Sequence, residues 1–214
     1  QDRLLEKRFL DNLNIKIAPY VKVTSPEDIS LAQDEFGECI LKTRALGYDG
    51  KGQIKIKKTA DPTFYFKEVK SKSIIEKKID FDFEVSQILA RDSFGNVAIY
   101  PIVRNVHENH ILKHTFAPAV LKKDLASKVQ EISKIIIKAP KHVGVLSIEF
   151  FVTKEDVLVN EVAPRVHNSG HWTIEGCSVS QFEQHLRCVI DKEVKDPSFS
   201  FDAQMINIIG DEVK

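Results

Sequence analysis

Val145-Leu146-Ser147-Ile148-Glu149-Phe150-Phe151-Val152-Thr153-Lys154-Glu155-Asp156-Val157-Leu158-Val159-Asn160-Glu161-Val162 reads as two β-rich runs folded back on each other around a short charged turn. A three-residue loop at Lys154-Glu155-Asp156 sets position 153 opposite 157, and Glu149 then faces Glu161 across the hairpin. Directly opposed side chains in an antiparallel pair have Cβ atoms ~4.5–5.5 Å apart, so like charges there weaken the sheet unless something positive sits between them. Two carboxylates with room for phosphate and water oxygens suit Mg2+, which makes Glu149 and Glu161 candidate metal ligands. The alternative is a turn of another length, with one glutamate in solvent and no ion bound.

Upstream, Leu121, Leu125, Val129, Ile132 and Ile136 recur at steps of three and four, the period of an amphipathic helix of about 17 residues that ends before Pro140. Downstream, Ser180-Gln181-Phe182-Glu183 is a capping-box pattern opening a last helix, with Phe182, Leu186 and Val189 along one face. Short β-forming segments lie at 39–43, 53–57, 73–77, 84–90 and 97–103. Two helices come before them: one places Leu4, Leu5, Phe9 and Leu13 at helical spacing, and one is opened by Ser25-Pro26-Glu27-Asp28 and stopped by Gly37. That order does not alternate strand with helix, which predicts an α+β fold with antiparallel sheets rather than a parallel βαβ array. A division near residue 80 is expected to give two lobes with a ligand between them.

The 214 residues carry 31 Lys and Arg against 31 Asp and Glu, so net charge gives no reason to expect a nucleic-acid or membrane-surface partner. No apolar run approaches the ~18 residues that a membrane span needs. Cys39, Cys177 and Cys188 are an odd number at scattered spacings, which fits a reducing compartment and predicts a cytoplasmic location. The chain opens at Gln1 and its one methionine is Met205, so a further segment is expected to precede it.

Lys42-Thr43-Arg44-Ala45-Leu46-Gly47-Tyr48-Asp49-Gly50-Lys51-Gly52-Gln53 puts three glycines in six positions between two strands. Backbone N–H groups so freed converge readily on an anion, and Lys42 and Lys51 add charge for phosphate oxygens. The spacing is neither a Walker A motif nor a dinucleotide fingerprint, and a plain glycine-rich hairpin tip is the alternative. Beyond Glu161, the polar stretch from Ala163 to Thr173 offers Arg165, His167, Asn168 and Ser169 as donors to a small anion such as a carboxylate, bicarbonate or phosphate. A zinc set of His167, His171 and Cys177 competes with that reading. His107, His110 and His114 read as surface or loop histidines unless one reaches a nucleotide, and no nucleophilic serine or cysteine constellation is present.

With Gly47 to Gln53 and Asn160 to Thr173 as its most specific parts, the sequence resembles the ATP-grasp ligases, and among them the branch that carboxylates 5-aminoimidazole ribonucleotide. Gln1-Asp2-Arg3, Tyr100-Pro101, Asn105-Val106-His107 and the run from Ser180 to Arg187 agree with it. The resemblance implies an ATP-grasp fold, two α+β lobes whose antiparallel sheets clamp ATP. The implied reaction phosphorylates bicarbonate with ATP and passes its carboxyl group from carboxyphosphate to the exocyclic amine of the ribonucleotide. It implies that Arg3, Lys42, Gly47, Tyr48, Asp49, Gly50, Lys51, Gly52, Gln53 and His107 contact the triphosphate, Glu76 and Ile79 the adenine, and Glu84 the ribose. Glu149 and Glu161, with Asn160, would form the Mg2+ and phosphate site. Arg165, His167, Asn168 and Ser169, with Asp49, would form the pocket for bicarbonate and the ribonucleotide, with Arg165, Lys51 and Asp49 as the catalytic groups. Simpler readings stand beside these: Glu84 on the wet face of a strand, Lys42 as a surface lysine, Arg3 as a helix-end pair.

The same resemblance assigns residues 1–24 to a linker and helix from a preceding Rossmann-like domain, and 25–80 to a small lobe carrying the glycine loop. It assigns 81–192 to a large lobe with the metal site and 193–214 to the start of a β-rich C-terminal domain. It further implies a homodimer and functional coupling to the downstream mutase. With neither flanking domain complete, the chain is expected to bind Mg-ATP without completing ligation. A ligase with another acceptor and a non-catalytic nucleotide-binding module are the alternatives.

Overall fold

The computed structural model describes residues 2–45, 52–69, 71–139 and 141–210, and the chain divides into two units, Gln1–Asp80 and Phe81–Lys214, each with its own sheet. In the first unit α1 (Arg3–Asn12) starts at Asp2, whose carboxylate accepts from the Leu4 and Leu5 backbone N–H groups. It is followed by β1 (Tyr20–Val23), α2 (Pro26–Phe36), β2 (Cys39–Thr43), β3 (Gln53–Ile56), α3 (Pro62–Glu68) and β4 (Ser73–Lys77). The strands lie in the order β1-β4-β2-β3, antiparallel throughout.

Helix α2 begins where the Ser-Pro-Glu-Asp signal says it should. The Thr24 and Ser25 N–H groups donate to Asp28 Oδ2 at 2.7 and 2.9 Å, and Gly37 ends the helix at φ 80°. Its buried Ile29 and Ala32 pack with Cys39, Leu41, Ile56 and Ile75 of the sheet. Within 1–24, assigned from the sequence to a linker and helix, α1 buries Leu4, Lys7 and Leu10, and β1 pairs with β4. Strand β1 is four residues long, and α3 buries none of its seven, so neither shows the apolar period that reveals an element in a sequence.

The second unit runs β5 (Phe83–Arg91), β6 (Val97–Ile99), β7 (Val103–Glu108), β8 (Ile111–Ala117), α4 (Lys123–Lys138), β9 (Gly144–Val152) and β10 (Val157–Ala163). A 3-10 turn (Asn168–Gly170), α5 (Thr173–Gly176), α6 (Gln181–Val189) and β11 (Ala203–Ile206) complete it. The sheet order is β10-β9-β5-β7-β8-β11 with β6 beside β5, and the pairings are antiparallel. The strand expected at 97–103 is two strands, β6 and β7, parted at Pro101, which has no N–H for the ladder. Strand β11, within the stretch 193–214, pairs with β8 at the edge of this sheet.

Helix α4 turns Leu125, Val129, Ile136 and Ile137 inward and packs on β5, β9 and β10. Ile88 and Ala90 of β5 pack with Val145, Tyr100 and Cys188 of α6, and Leu89 between them points to the opposite face. The sheet is thus buried on both sides at its centre, which is why β5 and β9 read as apolar runs rather than as a clean alternation. No helix among the described residues is long and apolar enough to cross a membrane.

Candidate functional site

Strands β9 and β10 do fold back on each other, yet their turn is one residue longer than expected. Val152 pairs with Val157, leaving a four-residue turn, Thr153 to Asp156, in which the Thr153 N–H donates to the Asp156 carbonyl at 2.9 Å. Continued unbroken, that register would set Asn160 opposite Glu149. An irregularity between Val159 and Glu161 takes up one residue, and Glu161 arrives opposite Glu149 after all. The expected pairing of carboxylates holds for a different reason: the turn supplies the wrong register and the bulge at Asn160 corrects it.

Three more registers extend this face of the sheet. Ser86 lies opposite Glu149, Glu84 opposite Asn105, and Asn105 opposite Thr115. Cross-strand partners and i, i+2 neighbours share a face, so Glu84, Ser86, Asn105, Thr115, Glu149 and Glu161 stand together. His107 Nδ1 makes a close contact with Glu84 Oε2. Burial pulls the His107 imidazolium down, but the Glu84 carboxylate, helped by Glu149, outweighs it, and His107 titrates above its ordinary range.

The segment after β10 is held over this face by Gln181. Its Oε1 accepts from the His167 N–H at 2.9 Å and its Nε2 donates to the His167 carbonyl at 2.6 Å. A side chain at Gly170 would need the same space, since a Cβ there would sit 2.6 Å from Gln181 Oε1. His167 Nε2 consequently lies 3.4 Å from Glu149 Oε1. Burial, with the Arg165 charge beside it, lowers His167 to about 4 against a smaller opposing pull from Glu161, so the ring is neutral near pH 7. Arg165 is exposed and donates to the Val166 carbonyl at 2.9 Å, and Asn168 is half-buried in the 3-10 turn. Ser169, expected in the binding pocket, is fully buried, and its hydroxyl bridges Ser86 and His167.

The described residues bring no three His, Cys, Asp or Glu side chains into a cluster that could hold a metal, so His167, His171 and Cys177 are not a zinc set here. Burial raises the Cys177 thiol to about 11, which keeps it protonated near pH 7. What remains is the pair Glu149 and Glu161, an incomplete all-oxygen donor set of the kind Mg2+ accepts when phosphates and water supply its other ligands.

In the first unit, Lys42 on β2 is buried and donates to Glu76 Oε2 on β4 at 2.8 Å, across the register that pairs Ile40 with Glu76. Lys7 of α1 lies 3.3 Å from Glu76 Oε1, an ion pair whose angles fall short of a hydrogen bond. Burial depresses the Lys7 ammonium despite Glu76, and although burial also acts on Glu76, Lys42 and Lys7 together hold its carboxyl below the usual range. The Glu76 side chain is therefore engaged with both lysines. Gln53 pairs with Lys42, and Gly52 has φ 77° with Thr43 Oγ1 2.5 Å from where a Cβ would sit. Ile79 is half-buried just after β4, and the Arg3 N–H donates to the Arg44 carbonyl at 2.9 Å. Gly47, Tyr48, Asp49, Gly50 and Lys51 lie outside the described residues.

Lys7, Ser86, Thr115 and Gln181 were not singled out from the sequence. For Ser86 a signal existed: in Phe83-Glu84-Val85-Ser86 the polar positions share a face, and the register adds Glu149 to it. For Gln181 only a helix-capping pattern was visible.

A family model described as the ATP-grasp domain matches residues 8–182. The chain is 41% identical over 219 residues to N5-carboxyaminoimidazole ribonucleotide synthase of Brucella melitensis biotype 1, covering 100% of this chain and 60% of that protein. It is 44% identical over 201 residues to the bifunctional purine synthesis protein purC/E of Dictyostelium discoideum, covering 88% of this chain and 20% of that protein. The crystal structure of N5-carboxyaminoimidazole synthase from Aspergillus clavatus in complex with ADP and 5-aminoimidazole ribonucleotide matches with a TM-score of 0.89 and 29% identity, over 98% of this chain and 57% of that one. The chain therefore spans 60% or less of the length of these proteins.

Proposed function

The chain belongs to the ATP-grasp domain family, and on that premise we propose that it is the nucleotide-binding and catalytic part of an ATP-dependent carbon-nitrogen ligase that carboxylates 5-aminoimidazole ribonucleotide. A bicarbonate oxygen attacks the γ-phosphorus of ATP and ADP leaves, giving carboxyphosphate. The exocyclic amine nitrogen of the ribonucleotide attacks the carboxyl carbon, phosphate leaves, and the nitrogen gives up a proton to yield the 5-(carboxyamino) product. Such a reaction asks its protein for positioning and charge neutralisation more than for covalent help.

The residues suit that demand. Lys42, Lys51, Arg3, His107 and the loop from Gly47 to Gln53 take the triphosphate, Glu76 and Ile79 the adenine through the backbone, and Glu84 the ribose hydroxyls. Glu149 and Glu161, beside Asn160, hold Mg2+, which when bound neutralises phosphate charge. Arg165, His167 and Asn168 orient the acceptor side with Asp49, while Ser169 acts from behind His167. The observation that carries this reading is the bulge that sets Glu161 opposite Glu149 on the face that also bears Glu84. A homodimer in the cytoplasm, coupled to the mutase that takes up the product, completes the proposal; the bifunctional Dictyostelium relative supports a link to another step of purine synthesis.

Steady ADP release, measured on a protein that carries the flanking domains as well, is the test. It is expected to require bicarbonate and 5-aminoimidazole ribonucleotide together. Release at the same rate with bicarbonate alone would reject the ribonucleotide as acceptor, and release that follows a different amine or acid would assign a different ligase.

A further inference from the structure

A chain of buried polar side chains runs through the large sheet to His167. Thr115 Oγ1 donates to Asn105 Oδ1 at 3.1 Å, and Asn105 Nδ2 donates to Ser86 Oγ at 2.9 Å. Ser86 Oγ donates to Ser169 Oγ at 2.7 Å, and Ser169 Oγ lies 2.9 Å from His167 Nδ1. Thr115, Ser86 and Ser169 have no exposed surface and Asn105 has 4%. Replacing both partners of a buried hydrogen bond by apolar groups of the same shape can be nearly neutral, so a connected polar chain here points to a task other than packing.

The chain has a direction. The Ser169 backbone N–H, which can only donate, meets His167 Nδ1 at 3.3 Å. Nδ1 is therefore an acceptor, and the proton of the neutral ring sits on Nε2. Facing an accepting nitrogen, the Ser169 hydroxyl gives its hydrogen to Nδ1 and must receive one from Ser86. Ser86 in turn receives from the Asn105 amide nitrogen, which leaves the Asn105 oxygen to accept from Thr115. The Ser169 N–H at 3.3 Å is the longer of the two contacts on Nδ1; the shorter one, from the Ser169 hydroxyl at 2.9 Å and oriented in turn by Ser86, Asn105 and Thr115, supplies the larger share of the preference for Nε2–H.

We propose that Ser86, Asn105 and Thr115 are positioning residues that act through Ser169 to hold His167 as its Nε2–H tautomer, with that donor turned toward the Glu149 side of the sheet face. The inference rests on the reading that His167 belongs to the acceptor pocket, where a fixed neutral donor aligns an anionic oxygen without adding a charge beside Arg165.

Nitrogen-15 NMR of the histidine side chains near neutral pH reads the tautomer directly, with His167 assigned by its loss in H167Q. The wild-type ring is expected to show a pyrrole-like Nε2 and a pyridine-like Nδ1. Ser86→Ala breaks the chain without adding charge and is expected to mix the two tautomers. It should lower turnover with the acceptor by about tenfold while leaving the KM for ATP unchanged. Asn105→Asp makes the middle of the chain accept from both neighbours and is expected to move the population toward Nδ1–H. A wild-type Nδ1–H ring, or a pure Nε2–H ring kept in Ser86→Ala, overturns the proposal. Should Asn105→Asp fail to fold, Ser86→Ala alone decides. A tautomer that shifts as expected with unaltered turnover upholds the chain and removes His167 from the acceptor pocket.

Discussion

Glu76 sits among two lysines with almost no water, and the arrangement makes unequal demands on its members. Removing one partner from a buried ion pair costs about 3–5 kcal/mol, because the group left behind stays buried and charged. Lys7→Met leaves Glu76 with Lys42 and should fall at the lower end of that range, whereas Glu76→Gln strands two ammonium groups and should cost more. Urea unfolding of the two variants checks the order, and a larger loss for Lys7→Met would contradict it. His167 makes a second prediction, about pH. Its ordinary value is 6.5 and burial lowers it to about 4, so between those values the unfolded chain binds a proton that the native ring does not. Stability is then fully present above pH 6.5 and declines as pH falls toward 4, by up to roughly 3 kcal/mol from this group. His107 carries the opposite sign, its contribution being lost as pH rises through its raised folded value. Unfolding midpoints followed from pH 7 to about 4 should fall less steeply in H167Q than in the wild type; parallel slopes would refute the assignment.

The hairpin β9–β10 is the element on which the site depends, and its bulge is the part the sequence hid. Apolar runs on either side of a charged turn reveal two strands, but a register depends on turn length to a single residue, and Lys154-Glu155-Asp156 serves a three- or a four-residue turn equally well. Deleting Asn160 tests the geometry, because an unbroken ladder then carries Glu161 into the place opposite Glu149. ATP binding should weaken with the loss of the Asn160 side chain yet keep its dependence on Mg2+, and binding that no longer responds to Mg2+ would contradict the register. The loop after β10 is similarly dependent on one contact that no pattern announces. Gly170→Ala drives a Cβ into the Gln181 amide that clamps His167, and overpacking of this kind costs about 1–3 kcal/mol. Turnover should drop with it while ATP affinity holds, as measured by paired kinetics and calorimetry; a fall in ATP affinity alone would contradict the clamp.

Across the whole molecule, helices and strands with strong periodicity or strong end signals were legible, as Ser25-Pro26 opening α2 and the fourfold steps of α4 illustrate. Short edge strands such as β1 and β11 were not, since pairing with a distant strand rather than local propensity makes them, and α3 was not, because none of its seven residues is buried to give an apolar period. The facing glutamates and the histidine after them were legible as residue types in suggestive places. The buried chain from Thr115 to Ser169 was not, because serine, asparagine and threonine alternating along a strand look like a wet face until a loop distant in sequence covers them. Calorimetric titration of ATP with and without Mg2+, on the wild type and on Glu149→Gln, tests the central claim most directly. The facing carboxylates predict that Mg2+ strengthens ATP binding in the wild type and that the substitution abolishes most of that gain; equal affinities for the two proteins in Mg2+ would contradict it.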